Sequence, residues 1–298
     1  MQQNPLVTIV CMCYNHQDFV VESLQSVINQ SYNNIELIIV DDCSTDNSKI
    51  IIQKWLSDHP KVVFISNAEN LGNTKSFNNA AKKAKGEFII DLAADDLLLP
   101  DCVAIQVETF GKSKYSNLAL VYGNCQEIDK NGLFTKNYFE INDQNKVITQ
   151  RVTGDIYLSV LSGGDSICSV SAMMKKSFFD ELNGYNENLA YEDLDFWIRC
   201  SRKFNIDFVD EIIVQKRMLT NSLGANFFKK NSNINNSAYL ILKNAISLNK
   251  TKAEDLALEK RINNRILHFL KNNDYQLFIK FILLKLKIQW RLNFRKYN

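Results

Sequence analysis

Three pairs of adjacent carboxylates are the part of this 298-residue chain best suited to chemistry: Asp41–Asp42, Asp95–Asp96 and Glu192–Asp193. They stand where apolar runs end or a helical pattern begins, in IELIIVDDCSTD, EFIIDLAADD and YEDLDFWIR. A lone Asp after a strand usually caps the next helix or closes an Asx-turn, and Ser44 and Asp46 fit that use. Converging carboxylates are different, because they repel unless a cation or a shared proton intervenes. Where phosphates are involved, a hard divalent ion, Mg²⁺ or Mn²⁺, supplies the charge.

The elements that must position these pairs can be read from the first hundred residues. Continuous apolar runs at Leu6–Cys13, Ile35–Val40, Val62–Ile65 and Glu87–Leu92 read as strands covered on both faces. Helical patterns alternate with them. Val20, Val21, Leu24, Val27 and Ile28 mark the first, and a stretch from Ser44 or Asp46 through Ile50, Ile51 and Trp55 to Asp58 the second. Phe77, Ala80, Ala81 and Ala84 mark the third, with Asn73 or Thr74 as cap. This alternation predicts an α/β fold with right-handed crossovers and a mostly parallel sheet flanked by helices. Ligands of such sheets bind beyond the carboxyl ends of the strands, so Asp41–Asp42 and Asp95–Asp96 are expected at one edge.

Beyond residue 100 the pattern loosens. Leu118–Tyr122 and Ile167–Met174 read as strands, and Gln126–Gln150 as a polar loop suited to a second substrate. Asp193–Phe204 reads as a helix with Phe196, Trp197 and Cys200 on one face. After about Leu223 an Asn- and Lys-rich stretch opens a mainly helical extension, giving a division into 1–223 and 224–298. Within that extension Leu284, Leu286, Ile288, Trp290, Leu292 and Phe294 alternate with polar residues, the period of a strand.

Composition narrows the classes. The formal charge of +2 conceals a tail from Lys271 onward with seven basic residues against Asp274 alone, leaving a slightly acidic body. That balance argues against nucleic acid as a partner and leaves the tail able to meet an anionic membrane surface or a partner. Seven cysteines without C-x-x-C spacing suggest free thiols in a reducing compartment. The start, MQQNPLVTIV, lacks a basic flank, and no run approaches a membrane span, so a cytoplasmic protein is expected.

The segment VTIVCMCYNHQDFVVESLQSVINQSYNNIELIIVDDCSTDNS resembles the amino-terminal signature of family 2 glycosyltransferases, inverting enzymes of GT-A fold. The likeness continues through NLGNTKSFNNAAKKAKGEFIIDLAADD to LNGYNENLAYEDLDFWIR, in order over about residues 6–222. It implies transfer of a hexosyl or N-acetylhexosaminyl group from a nucleotide diphosphate donor, UDP being favoured. The implied acceptor is a hydroxyl of a glycan or lipid-linked molecule, in assembly of bacterial-type surface polysaccharide.

Residue by residue, the resemblance places Cys13, Tyr14 and Asn15 around the base, with His16 at its border, and Asp42 on the uracil or ribose. Lys75 reaches the base or phosphates, or is a solvated helix lysine. Ala94 and Asp95 belong to the donor site, with Asp95 binding the Mn²⁺ or Mg²⁺ that bridges the diphosphate and Asp96 supporting it or capping the next turn. Arg217, in VQKRMLTNS, approaches the diphosphate. Asp193 is the catalytic base, and Glu192 orients neighbours or binds an acceptor hydroxyl. The chain departs from the pattern at Ala93 (first Asp of the D-x-D), Cys43 (Gly), Met12 (Pro) and Leu219 (His). Ala93 encourages the alternative of a noncatalytic nucleotide-sugar binding protein. The absence of a Gly-rich loop after the first strand argues against a nucleotidyltransferase or a dinucleotide oxidoreductase.

Overall fold

The computed structural model describes residues 4–163, 167–219 and 232–297. Along the first hundred residues run β1 (Val7–Cys13), α1 (Val20–Ile28), β2 (Ile35–Asp41), α2 (Ser48–Leu56), β3 (Val63–Ser66), α3 (Asn73–Ala81), β4 (Phe88–Ala93) and β5 (Leu97–Leu98). There follow α4 (Cys102–Lys112), β6 (Leu118–Ile128), β7 (Phe134–Asn137), α5 (Tyr157–Ser162), β8 (Met173–Lys175), α6 (Lys176–Glu181), α7 (Asp193–Lys203) and β9 (Asn205–Arg217). The chain continues through α8 (Asn233–Leu248), α9 (Lys252–Lys271) and α10 (Tyr275–Phe294).

Two compact units result. The first comprises Met1–Gly154, Ile167–Tyr185 and Asn205–Leu219, and the second Asp155–Ser166, Asn186–Phe204 and Thr220–Asn298. The boundary read from sequence near residue 223 lies outside the described residues.

In the first unit the strands form one mixed sheet in the order β3-β2-β1-β4-β8-β6-β9-β5, with β7 paired to β6. β1, β2, β3, β4, β6 and β9 run in one direction, and β5, β7 and β8 run against them. β1 is buried at every position because it is central and covered on both faces, which is why it reads as an unbroken apolar run. It lies between β2 and β4, with Cys13 opposite Asp41 and Met12 opposite Ala93. The ladder continues past the strand ends: Asp42 N donates to Cys13 O and Ala94 N to Met12 O, both at 2.9 Å. The ends of β1, β2 and β4 therefore meet at one edge, at the point where the strand order reverses. Further on, Asn78 in α3 holds Tyr185 from both sides, accepting from its N–H at 2.9 Å and donating to its carbonyl at 2.8 Å. Gly184 sits at φ +66°, and a Cβ there would lie 2.6 Å from Asn78 Oδ1, so the L-N-G-Y segment needs its glycine.

Several local expectations are corrected. Ile167–Met174 is not one strand: a 3-10 turn occupies Ser169–Ser171 and only Met173–Lys175 joins the sheet. The Ser171 hydroxyl lies 2.8 Å from Cys168 O and accepts from Gly123 N at 3.1 Å, taking hydrogen bonds a ladder would otherwise use. The stretch from Gln126 is only partly loop, since β6 runs to Ile128 and hairpins with β7. α3 begins at Asn73, with Gly72 in the cap position, and α2 begins at Ser48 after Asn47.

The second unit is helical among its described residues. The alternating stretch 284–294 lies in α10, not a strand: Leu277, Phe281, Leu284 and Ile288 are buried at spacings of four, three and four. Lys, Leu, Gln and Arg are strong helix formers, and Asp274 caps the start by accepting from Leu277 N at 3.2 Å. α9 starts on a full capping box between Thr251 and Glu254. Phe269 of α9 and Phe281 of α10 meet at 5.1 Å between ring centroids.

Candidate active site

At the sheet edge, the loops after β1 and β2 are tied together by reciprocal hydrogen bonds. Asn15 and Cys43 both have left-handed backbones, at φ 59° and 62°. Asn tolerates that conformation, whereas Cys43 occupies a position better suited to glycine. Asn15 N donates to Ser44 Oγ at 3.0 Å, and Thr45 N donates to Asn15 Oδ1 at 2.7 Å. His16 N donates to Ser48 Oγ at 2.9 Å and Gln17 N to Asp46 Oδ2 at 3.0 Å. Ser44 and Asp46 thus brace the neighbouring loop, and Asp46 also receives Ser48 N at 2.9 Å. Burial opposes the charge on Asp46, but hydrogen bonds from Ser48 and Gln17 outweigh it and hold the carboxyl below its usual range.

The Asp41–Asp42 pair divides its roles. Asp42 is buried and collects four donors: Asn67 Nδ2 at 2.7 Å, Ser76 Oγ at 2.7 Å, Leu71 N at 3.0 Å and Gly72 N at 2.9 Å. It organises the loop between β3 and α3, on which Lys75 stands exposed in the first turn of the helix. Asp41 is also buried, yet its Oδ1 has no hydrogen-bond partner among the described residues. Of this pair, the unused acceptor oxygen among the described residues is thus on Asp41. Its neighbour Cys13 is buried, and burial raises its thiol to about 11, so the sulfur is neutral at physiological pH. Tyr14 is 44% exposed, a ring free to be covered by a ligand.

At the end of β4, Ala94 is fully buried, and the Asp95 carboxylate approaches His16 Nε2 at 3.8 Å. Asp96 turns inward and accepts from Arg217 N at 2.8 Å. Burial, reinforced by Asp95, pushes its carboxyl up to about 8. Arg217, read in the sequence as approaching the diphosphate, is 4% exposed, and its guanidinium is engaged within the fold. Nε donates to Asp95 O at 3.1 Å, Nη1 to the carbonyls of Asp129 and Lys130 at 3.2 Å, and Nη2 to Glu22 Oε2 at 2.7 Å. Phe19 lies under it at 4.8 Å. Arg217 is thus a clamp that fixes the Asp95–Asp96 turn against α1 and the β6–β7 hairpin. Glu22, Asn67 and Asp129 gave no motif in the sequence, although Asn67, the first polar residue past β3, could have been found by the strand-end rule.

The raised pKa of Asp96 has a measurable consequence. A folded-state value of about 8 against an ordinary 3.8 means that the folded chain keeps a proton the unfolded chain loses. Its contribution is full at acid pH and falls as pH rises through that window. Asp96→Asn keeps the acceptor for Arg217 N and needs no proton. Its Tm relative to wild type, measured without divalent metal, should rise between pH 5 and pH 8, by about 2–4 °C for each kcal/mol recovered. A constant difference across that range would refute it.

In the second unit, Glu192 holds the N-cap position of α7 and Asp193 is its first residue. Helix starts favour acidic residues, and Asp195 in the same turn pairs with Arg199 at 2.7 Å. Burial pushes the Tyr191 phenol up to about 12; Arg265 and Arg261 pull against it, while Asp193 and Asp195 add to it. Asp193 therefore shares its surroundings with Tyr191 and two arginines of α9. Phe196, Trp197 and Cys200 face the core, as their spacing predicts.

The residues at the sheet edge suit a metal that arrives with its ligand. Among the described residues no group of three or more His, Cys, Asp or Glu side chains is gathered to hold an ion. Mg²⁺ and Mn²⁺ at phosphate sites take one or two carboxylates and complete their shell with phosphate oxygens and water, which Asp95 can serve.

A doubly wound edge with buried acids after β2 and β4 is the place where α/β proteins of this architecture bind their ligands. Residues 8–182 match the model of glycosyl transferase family 2, and the chain belongs to that family. An uncharacterized glycosyltransferase of Methanocaldococcus jannaschii is 28% identical over 217 residues, covering 72% of this chain and 71% of its own. Chondroitin synthase of Escherichia coli is 29% identical over 202 residues, which are 67% of this chain but 27% of the synthase. The fold is shared with S. aureus TarS 1-349, solved with UDP-GlcNAc, at TM-score 0.65 and 16% identity over 89% of this chain and 72% of that one. It is shared also with the mannosyltransferase PcManGT of Pyrobaculum calidifontis, solved with GDP-Man and Mn²⁺, at TM-score 0.59 and 14% identity, covering 96% and 88%. The GT-A architecture and a nucleotide-sugar-dependent glycosyltransferase follow from these matches. No helix among the described residues is long and apolar enough to cross a membrane.

Proposed function

We propose that the protein transfers a hexosyl or N-acetylhexosaminyl group, with inversion, from a UDP-sugar to a hydroxyl of a glycan or lipid-linked acceptor. We place this work in the cytoplasm, in assembly of bacterial-type surface polysaccharide. The observation that carries the reading is the buried Asp41 oxygen, without a partner among the described residues, set beside Tyr14 and level with the Asp95 turn at the carboxyl edge of the sheet. A uracil offers an N–H to such an acceptor and a face to such a ring, and Cys13, Asn15 and Lys75 surround the same edge. TarS binding UDP-GlcNAc and PcManGT binding GDP-Man with Mn²⁺ support a nucleotide-sugar there. The seven free thiols support a reducing compartment.

Asp95 would hold the divalent ion with the diphosphate, and that ion, when bound, offsets the charge growing on the leaving group. Arg217 holds the Asp95 turn still and Asp96 fills the space beneath it. Asp193, in the E-D motif, takes the acceptor proton, and Glu192 orients the acceptor. The noncatalytic alternative has Ala93 in its favour, since the first D-x-D carboxylate is missing. A screen of UDP-, GDP- and dTDP-sugars for nucleotide diphosphate release, with Mn²⁺ and with EDTA, tests the proposal. Release from a UDP-sugar that EDTA abolishes is expected. UDP binding by calorimetry without release, across a broad acceptor panel, would leave the noncatalytic reading in its place.

A further inference from the structure

α10 buries one face and exposes another that is just as apolar. Tyr275, Ile279, Leu283, Leu286, Trp290 and Phe294 recur at spacings of four, four, three, four and four, and each is between 55% and 70% exposed. Those spacings put all six on one stripe along the whole helix. A solvated helix of this length normally carries charge on its outer face. The stripe has aromatic residues at both ends, side chains that favour the boundary between water and lipid.

The charge around the stripe is of one sign. Over residues 250–297, twelve Lys and Arg stand against four Asp and Glu. All four acids are engaged inside the helical unit. Glu254 pairs with Arg202 at 2.7 Å and Asp255 with Arg291 at 2.8 Å. Glu259 accepts from Gln289 at 3.1 Å, and Asp274 caps α10 itself. From Tyr275 to Phe294 there is no acidic residue, while Lys280 and Lys287 follow Ile279 and Leu286 along the edge of the stripe. A second copy seated symmetrically on this face would bring lysine against lysine, with no acid on the helix to answer it. An anionic headgroup layer supplies both the apolar boundary and the opposite charge.

We propose that the outer face of α10 docks, lying in the plane of the surface, on an anionic lipid bilayer. Docking needs neither donor nor acceptor, so its outcome is independent of the transferase reading.

The test is sedimentation of the full chain with vesicles of phosphatidylcholine alone and of phosphatidylcholine mixed with phosphatidylglycerol. Binding to the mixed vesicles, weakened by salt, is expected. Leu283→Gln with Trp290→Gln should weaken it about tenfold or more. Lys287→Gln with Lys296→Gln, both exposed, should weaken it by about fivefold per lysine. All four side chains lie outside the core, so an unchanged circular dichroism melt shows that the variants are folded. Failure to bind mixed vesicles, or binding that neither double variant alters, overturns the proposal. A concentration-dependent dimer in sedimentation velocity that Leu283→Gln with Trp290→Gln dissolves, with no vesicle binding, assigns the face to a second copy and overturns it too.

Discussion

Asp193→Asn is expected to lower the rate of sugar transfer by about 10²–10⁴-fold, the usual contribution of a positioned general base. The substitution keeps the size of the side chain and its place at the start of α7. What it removes is the ability to accept a proton from the attacking hydroxyl. Donor affinity, measured by calorimetry with UDP, should stay within a few-fold of wild type, because a base acts on the acceptor and the transition state alone. A fall in donor affinity matching the fall in rate would mark Asp193 as a donor-site residue. Wild-type turnover in the variant would remove the base assignment altogether. Comparison with Asp195→Asn adds a control, since Asp195 is buried and paired to Arg199 within the same turn, and its loss should appear first in stability.

The second large effect is expected at the end of β4. Asp95→Ala should lower kcat/KM by about 10²–10³-fold, in the range seen when one preorganised electrostatic partner of a developing charge is lost. Excess Mn²⁺ should restore activity poorly, while wild type should lose activity in EDTA and regain it with Mn²⁺ or Mg²⁺. Because no ready-made cage of ligands is gathered among the described residues, Mn²⁺ alone should bind wild type weakly and bind well once UDP is present. That ordering separates a metal delivered with the nucleotide from a resident metal site, and calorimetry with and without UDP reads it. Full activity of Asp95→Ala, or of wild type in EDTA, would refute the metal role.

Arg217 explains why the Asp95 turn can be held so firmly in a chain that lacks the first D-x-D carboxylate. Its backbone N–H secures Asp96, and its guanidinium spans the Asp95 carbonyl, two carbonyls of the β6–β7 turn and Glu22. These groups come from three stretches far apart in the sequence, around residues 22, 95–96 and 129–130. No spacing rule could have assigned them to one side chain. The resemblance of VQKRMLTNS to a family segment pointed to the neighbourhood of Arg217, and the packing shows what the side chain touches there.

The amino-acid sequence by itself determined the parallel half of the sheet. β1 is buried throughout and β2 and β4 over most of their length, so their composition is largely apolar without alternation, and polar residues follow their ends: Tyr14, Asp42 and Asp95. Local chemistry of that kind survives in one dimension. Tertiary structure alone shows how the Asp42 carboxylate is hydrogen-bonded within the fold, because its donors include Asn67 and Ser76, 25 and 34 residues away. It also decided the state of α10. Alternation over 284–294 satisfies a strand period, but Leu277 and Phe281 extend the apolar set at helical spacing, and burial against neighbouring helices outweighs the local pattern. Periodicity reports which residues can be covered; which of them are covered depends on surfaces that the chain presents only once folded.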